Sequence, residues 1–452
     1  MAQKVVVGMS GGVDSSVAAY LLQLQGYEVI GVTVRVWDPE EPVSCERDNR
    51  CCGETAVDDA RRVCIRLGIP YHVVGFRERF RERVIDPFVA EYLGGRTPNP
   101  CLQCNRLVKW EAILSQADAL GARYVATWHY ARIERLSNGR YTVCNAASAA
   151  KDQTYALSLL TQEQLVRTLM PLGDYHKSEV RRIAKEAGLP VAGKPDSEDI
   201  CFIRDGDVAG FVDRAAGDAA PGPGRFVYRD GTDLGKHRGI THYTVGQRRG
   251  LGLAMGRPVF VTGLDAASNT VRIGEAEDVL GDTLVCRGLN FMALAPDELA
   301  VGDVLGLREE TSSGTDPYSG AQPVSVEGQE SPTPGAQPAP EEGKESPAPG
   351  PAVQEIPTAE PGVPEPPAAE PAQAEPLTSE SAVPEIPAAE PVSRRITCRI
   401  RYSAASAPCR IKRTGEDEIT ARFYEKVRAI TPGQEAVFYE DGHVLCAGTI
   451  AP

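Results

Sequence analysis

"KVVVGMSGGVDSSVAAYLLQLQG" spans residues 4–26, and its reading decides the fold. A short β-branched strand runs into three glycines, and an amphipathic helix follows at once. Val17, Ala18, Leu21 and Leu22 share one helical face, and Gly26 ends it. Gly8, Gly11 and Gly12 let the backbone bend tightly and approach a ligand. The N–H groups at the helix start then face an anion, and Ser10, Ser15 and Ser16 add hydroxyl donors. Asp14 would repel a bare phosphate, so its presence implies a bridging Mg²⁺. The loop is not a Walker A sequence, which needs a lysine after its glycines, nor G-x-G-x-x-G.

Working outward, strand and helix alternate through the first 200 residues. "YEVIGVTVRVW", "IPYHVVGF" and "ARYVATWHYARIE" read as strands, and "TAVDDARRVCIRLG" reads as a helix between the first two. This rhythm predicts an α/β fold, a doubly wound parallel sheet with helices on both faces. Ligands of such sheets sit beyond the carboxyl ends of the strands. From about residue 205 the texture becomes turn-rich, and "RPVFVTGLDAASNTVRIG" (257–274) resembles a hairpin. "DTLVCRGLNFMAL" (282–294) and the stretch from residue 394 to the end read as a small β-barrel. The expected division is 1–204 for the nucleotide-type domain, 205–280 for a central β-rich domain, and 281–308 with 394–452 for the barrel.

Residues 309–393 interrupt that barrel. They hold 19 of the 35 prolines, 16 acidic residues and one lysine, and a glutamate recurs every five residues from Glu355 to Glu390. Nothing there builds a core, so the segment is expected to be extended and disordered, an insert tolerated in a surface loop. The chain carries −14 and the segment −15, so the other residues carry +1. The acidity therefore says little about partners of the folded part. No apolar run reaches the ~18 residues of a membrane span, and the N-terminus lacks a signal-peptide pattern. Both point to the cytoplasm, where the twelve cysteines are expected to be reduced. Cys64, Cys144, Cys286, Cys398, Cys409 and Cys446 lie in apolar patterns and read as packing residues. Cys45, Cys51 and Cys52, in "CERDNRCCG", read either as a zinc or accessory redox site or as surface thiols.

"SGGVDS" resembles the pyrophosphate loop of the N-type ATP pyrophosphatases, which adenylate a carbonyl oxygen. "TPNPCLQCN" (97–105), "KDQTYAL" (151–157), "DSEDICFI" (196–203), "HYTVGQRRGLGL" (242–253) and "IRYS" (400–403) narrow the resemblance. Together they resemble the bacterial tRNA-specific 2-thiouridylases of the MnmA type, over nearly the whole chain except 309–393. That resemblance implies a tRNA-uridine 2-sulfurtransferase: ATP adenylates O2 of the wobble uridine in tRNAs for Lys, Glu and Gln, sulfur attacks C2, and AMP leaves. The implied partners are that tRNA anticodon loop and a persulfide donor such as a cysteine desulfurase or relay protein, with no membrane.

The resemblance also implies the site. Cys104 is the nucleophile and Cys201 carries the persulfide, and the two can close a disulfide when sulfur is released. Cys101 stands where many relatives have Asp, so Cys101, Cys104 and Cys201 can equally be drawn as three corners of a [4Fe–4S] cluster with one iron open to sulfide. ATP is implied at Gly8, Met9, Ser10, Gly11, Gly12, Val13, Asp14 and Ser15, at Val34 and at residue 128. There "TWHYA" departs from the family's "TGHYA", so Trp128 must swing away from the nucleotide or stack on it. tRNA contacts are implied at Asn99, Pro100, Cys101, His129, Lys151, Asp152, Gln153, Arg401, Tyr402 and Gln434. On residue type alone, "KDQ" is a solvated helix start and His129 a core histidine. The alternative for the whole chain is a small-molecule adenylating enzyme of the GMP synthetase or argininosuccinate synthetase type, which would leave Cys104 and Cys201 without work.

Overall fold

The computed structural model describes residues 2–36, 54–196, 200–203, 206–306 and 394–452. The insert and Cys45, Cys51 and Cys52 fall outside the described residues, so the expectations on them stand untouched.

The first seven strands are β1 (Lys4–Gly8), β2 (Glu28–Arg35), β3 (Tyr71–Gly75), β4 (Tyr124–Ala126), β5 (Arg132–Arg135), β6 (Tyr141–Cys144) and β7 (Thr168–Leu169). Five of them form a parallel sheet in the order β3-β2-β1-β4-β7. Val5, Val7 and Val29 pack with Ala19 and Leu22 of the Val13–Leu24 helix and with Ala60, Val63 and Cys64 of the Glu54–Leu67 helix. Val6, Ile30 and Val32 face the opposite way, onto Trp110, Ile113 and Ala117 of the Trp110–Ala119 helix. A strand alternates its side chains, so β-branched residues in succession fill both faces. The doubly wound expectation holds. "ARYVATWHYARIE" is not one strand, however. It breaks after Ala126, and β5 leaves the parallel sheet to pair with β6. No local signal marks the break, because both halves have strand composition.

The central strands are β8 (Gly224–Tyr228), β9 (Asp233–His237), β10 (Phe260–Asp265) and β11 (Thr270–Gly274), in the order β10-β11-β8-β9. The β10–β11 pair is the expected antiparallel hairpin. The last strands are β12 (Leu280–Phe291), β13 (Val304–Leu305), β14 (Ile396–Arg399), β15 (Ala407–Gly415), β16 (Glu418–Arg428), β17 (Glu435–Glu440) and β18 (His443–Ile450). Six close a barrel in the order β12-β16-β15-β14-β17-β18, with β18 pairing back to β12. Every second residue points inward: Cys409 and Ile411 on β15, then Ile419, Ala421 and Phe423 on β16. The cysteines read as packing residues are all buried, as expected. β13 and β14, which flank the insert, both pair with β15.

The barrel also packs outward. On β17, Val437 and Tyr439 join the core that holds Tyr155 and Leu157. The Tyr155 hydroxyl donates to the Glu435 carbonyl at 2.9 Å. Each such side chain contributes on the order of 1.5–3 kcal/mol by burial. This seam brings barrel residues to the first domain's site, and β6 pairs directly with β18 across it.

Glu435 gives the seam a pH dependence. Its side chain is buried, one oxygen accepts from Thr449 Oγ1 at 3.1 Å, and the other has no hydrogen-bond partner. Burial pushes its carboxyl from 4.5 up to about 7. A raised pKa means the folded chain holds the proton more tightly than the unfolded one. The associated stability is complete below about pH 4.5 and is lost as pH rises through about 7. The loss is of order 3 kcal/mol. Glu435→Gln is expected to flatten this part of the stability profile, measured by denaturant unfolding between pH 5 and pH 8; parallel profiles would contradict it.

Candidate active site

The phosphate-type loop sits beyond the carboxyl end of β1. Gly11 has φ +67°, and a Cβ there would lie 2.2 Å from the Ala56 carbonyl oxygen, so only glycine fits. Ser15 ties the loop internally: its Oγ accepts from Ser10 N at 3.2 Å and Ser10 Oγ at 3.1 Å and donates to the Gly12 carbonyl at 3.2 Å.

Asp14 has unexpected company. Lys177 Nζ donates to both carboxylate oxygens at 2.7 Å, and the Tyr130 hydroxyl donates to one at 2.9 Å. Lys177 also bridges to Asp196 at 2.8 Å, as do Arg181 at 2.9 Å and Lys151 at 3.2 Å. Lys194 donates to the Gly11 carbonyl at 3.2 Å and to Asp59 at 2.8 Å. Burial pushes the Asp196 carboxyl up, but the hydrogen bonds and charges of Lys177 and Lys151 outweigh it and hold it below its ordinary value. Burial and the Asp14 carboxylate push the Tyr130 phenol up, so it stays a donor. Sequence reasoning missed Lys177, Lys194 and Tyr130. Lys177 merely opens an ordinary charged helix, Lys177–Glu186, and only the fold brings it 163 positions back to Asp14.

"TPNPCLQCN" forms the other wall. Asn99 caps the short Pro100–Cys104 helix by accepting from Cys101 N at 3.1 Å, with Pro100 at its first position. A π-helical turn, Asn105–Lys109, follows. Asn105 Nδ2 donates to the Ala156 carbonyl at 2.8 Å, and Gln434 Nε2 to the Thr97 carbonyl at 2.6 Å. These two bonds pin the stretch to "KDQTYAL" and to the barrel. Cys101 is exposed, Cys104 is buried and Cys201 is intermediate. Cys104 and Cys201 share an apolar cluster with Phe80, Val84, Phe88 and Phe202.

One cavity of about 940 Å³ joins these parts. Ser10, Gly12, Val13 and Asp14 line one end. Asn99, Pro100, Cys101, Cys104, Cys201, His129, Lys151, Gln153, Tyr402 and Gln434 line the rest, with Trp128 at the side. Its lining lysines are Lys109, Lys151, Lys177 and Lys194, against the acids Asp14 and Asp196, an excess of positive charge suited to polyanions. A smaller apolar pocket behind it is lined by Gly8, Met9, Val34, Trp128, His129, Cys104 and Cys201. The Trp128 ring stacks on His129 at 5.8 Å and 9°, and Lys109 Nζ lies 6.0 Å from its centre.

Other expected residues lie elsewhere. Asp152 is not among the lining residues: its carboxylate accepts from Ala146 N at 3.0 Å and Thr154 Oγ1 at 2.6 Å, and it faces Arg399 at 3.4 Å. Arg401 lines a separate depression of about 230 Å³, where one guanidinium nitrogen donates to the Val245 carbonyl at 2.8 Å, the Ala429 carbonyl at 3.1 Å and Thr431 Oγ1. Tyr402 and Gln434 line both spaces. Gly11 and Ser15 shape the loop from behind the cavity wall. His129 is buried, 2.9 Å from Thr127 Oγ1 and between Trp110 and Trp128.

Residues 3–205 match the family described as tRNA methyl transferase HUP domain, 210–275 the tRNA methyl transferase PRC-barrel domain, and 384–450 the aminomethyltransferase beta-barrel domain. The tRNA-specific 2-thiouridylase MnmA of Lachnoclostridium phytofermentans is 42% identical over 448 residues, covering 99% of this chain and 99% of its own length. That of Clostridioides difficile is 40% identical over 451 residues, covering 100% and 98%. That of Clostridium perfringens is 53% identical over 292 residues, covering 65% and 80%.

Proposed function

The chain belongs to the family of tRNA-specific 2-thiouridylases, which makes it a tRNA sulfurtransferase, and from this premise we propose how its residues perform the reaction. The observation that carries the proposal is the single cavity shared by the phosphate-type loop and the three thiols. ATP binds with its phosphates on the loop from Gly8 to Ser15 and its base toward Val34 and Trp128. The wobble uridine of a tRNA for Lys, Glu or Gln leaves the anticodon stack and enters beside Asn99, Pro100 and Cys101. Its O2 attacks the α-phosphorus, pyrophosphate leaves, and the adenylated oxygen becomes a good leaving group. Lys177 and Lys194 offset charge developing on the phosphates.

The terminal sulfur of a Cys201 persulfide, loaded by a cysteine desulfurase or relay protein, then attacks C2 and AMP leaves. The Cys104 thiolate attacks Cys201 Sγ. The S–S bond to the base breaks, 2-thiouridine is released, and a Cys104–Cys201 disulfide remains for an external dithiol to reduce. Lys151, Gln153, Tyr402 and Gln434 hold the anticodon loop.

A [4Fe–4S] cluster is the other sulfur carrier the thiols admit. The donor set fits, since Cys101, Cys104 and Cys201 line one cavity and no fourth described cysteine does. Bound there, the cluster would supply an iron open to sulfide. Mg²⁺ fits less well at Asp14, whose oxygens are taken by Lys177 and Tyr130. Cys101→Ala separates the carriers. With the relay, it keeps thiolation within about threefold of the parent, because Cys101 is only a neighbour of the exchange. With the cluster, anaerobically purified Cys101→Ala loses both iron and most activity.

Deleting residues 312–392 is expected to leave thiolation within about twofold, since closure entropy changes slowly with the length of the chain between two anchored ends. Both flanks of the insert are already anchored to β15. A folded but inactive deletion protein would show that the segment takes part.

A further inference from the structure

Three side chains at the seam between the first domain and the barrel converge outside the chemistry above. Cys144 on β6 lies opposite Arg132 of β5 and opposite His443 of β18. Directly opposed residues of antiparallel strands point to the same face, so Cys144 and His443 share one. Glu134, two residues beyond Arg132, lies diagonally on that face. One Glu134 oxygen is 3.1 Å from Cys144 Sγ and the other is 2.9 Å from His443 Nε2. A sulfur, an imidazole nitrogen and a carboxylate oxygen thus lie within 4.8 Å of one another, and among the described residues this is the one such group. Cys144 is buried, while the side chains of His443 and Glu134 are 28% and 44% exposed, so an ion has an entry path.

We propose that Glu134, Cys144 and His443 bind one Zn²⁺, with water in the fourth position, and that the ion fastens the β5–β6 hairpin to barrel strand β18. The donor set selects the metal. One thiolate, one imidazole and one carboxylate suit a borderline ion in tetrahedral geometry, whereas Mg²⁺ and Ca²⁺ require oxygens. Bonds of ~2.0–2.3 Å place tetrahedral ligands ~3.3–3.8 Å apart, so small rotamer changes complete the site. Binding releases the Cys144 thiol proton to solvent. The carboxylate and thiolate together offset the ion's two charges. The seam is already held by Asn145 N donating to the Gly442 carbonyl at 3.0 Å, immediately beside Cys144 and His443. The ion adds a second tie where the barrel that carries Tyr402 and Gln434 meets the first domain.

The test is a Co²⁺ titration of the full-length, chelator-stripped chain under anaerobic conditions, read against Cys144→Ser, His443→Ala and Glu134→Gln. Other thiols of the chain can take up metal, so the readout is the difference between parent and variants. The parent should bind one more equivalent than Cys144→Ser or His443→Ala, and that equivalent should carry a thiolate-to-cobalt charge-transfer band. Glu134→Gln, a change at an exposed carboxylate, should keep the fold and weaken that equivalent at least ~10-fold. Zn²⁺ at ~100 times its Kd should raise the parent's Tm by roughly 4 °C or more and the Cys144→Ser variant's by less. Equal stoichiometry in all four proteins, or a Glu134→Gln titration superimposable on the parent's, would overturn the proposal and leave the three groups a hydrogen-bond chain only.

Discussion

Cys104→Ala and Cys201→Ala are each expected to lower the rate of 2-thiouridine formation by at least ~10³-fold, while tRNA-dependent pyrophosphate release survives in the first turnover. The two thiols sit on different segments yet share one apolar cluster and line both the large cavity and the pocket behind it. In the proposed mechanism one thiol holds the sulfur and the other releases it, so either loss is expected to stop the exchange. Adenylation, as proposed, uses the loop and the lysines and is expected to be untouched by removing a sulfur. The check is single-turnover assay of thiolated tRNA by mass spectrometry beside released pyrophosphate. A Cys104→Ala protein that thiolates at the parental rate would remove that thiol from the mechanism. The same variants respond alike whether sulfur travels as persulfide or on a cluster, which is why Cys101→Ala carries the distinction between the carriers.

Asp14→Ala is expected to reduce AMP formation by at least ~10²-fold and to leave tRNA affinity within about threefold. Asp14 fixes Lys177 and Tyr130 at the mouth of the phosphate-type loop. Without it, Lys177 keeps Asp196 as its partner and is drawn toward that side. The phosphates then lose a positioned cation and face a rearranged loop. In the proposed arrangement tRNA is held mainly by residues of the opposite wall and the barrel, so its binding is expected to change little. Filter binding and pyrophosphate release, measured on the same preparation, separate the two effects. Normal AMP formation by Asp14→Ala would contradict the role given to the loop.

Much of the molecule was legible in the chain itself. The β1 strand, the glycine turn and the helix after it are set by local rules: β-branched residues, a position that only glycine can occupy, and a 3.6-residue apolar period. The alternation of the barrel strands is equally local. Tertiary structure alone decided the rest. It broke "ARYVATWHYARIE" into two strands of different sheets, because composition does not say where a strand changes partner. It turned Asp152 inward as a tie for Thr154 and Arg399, and it set Arg401 in a depression beside the main cavity. It brought Lys177 to Asp14, 163 positions away, and His443 to Cys144 from the far end of the chain. Sequence periodicity reports which face of an element is buried, and it is silent on which distant charge or ligand that face will meet. Such pairings arise only when the sheet, the barrel and the seam between them close together.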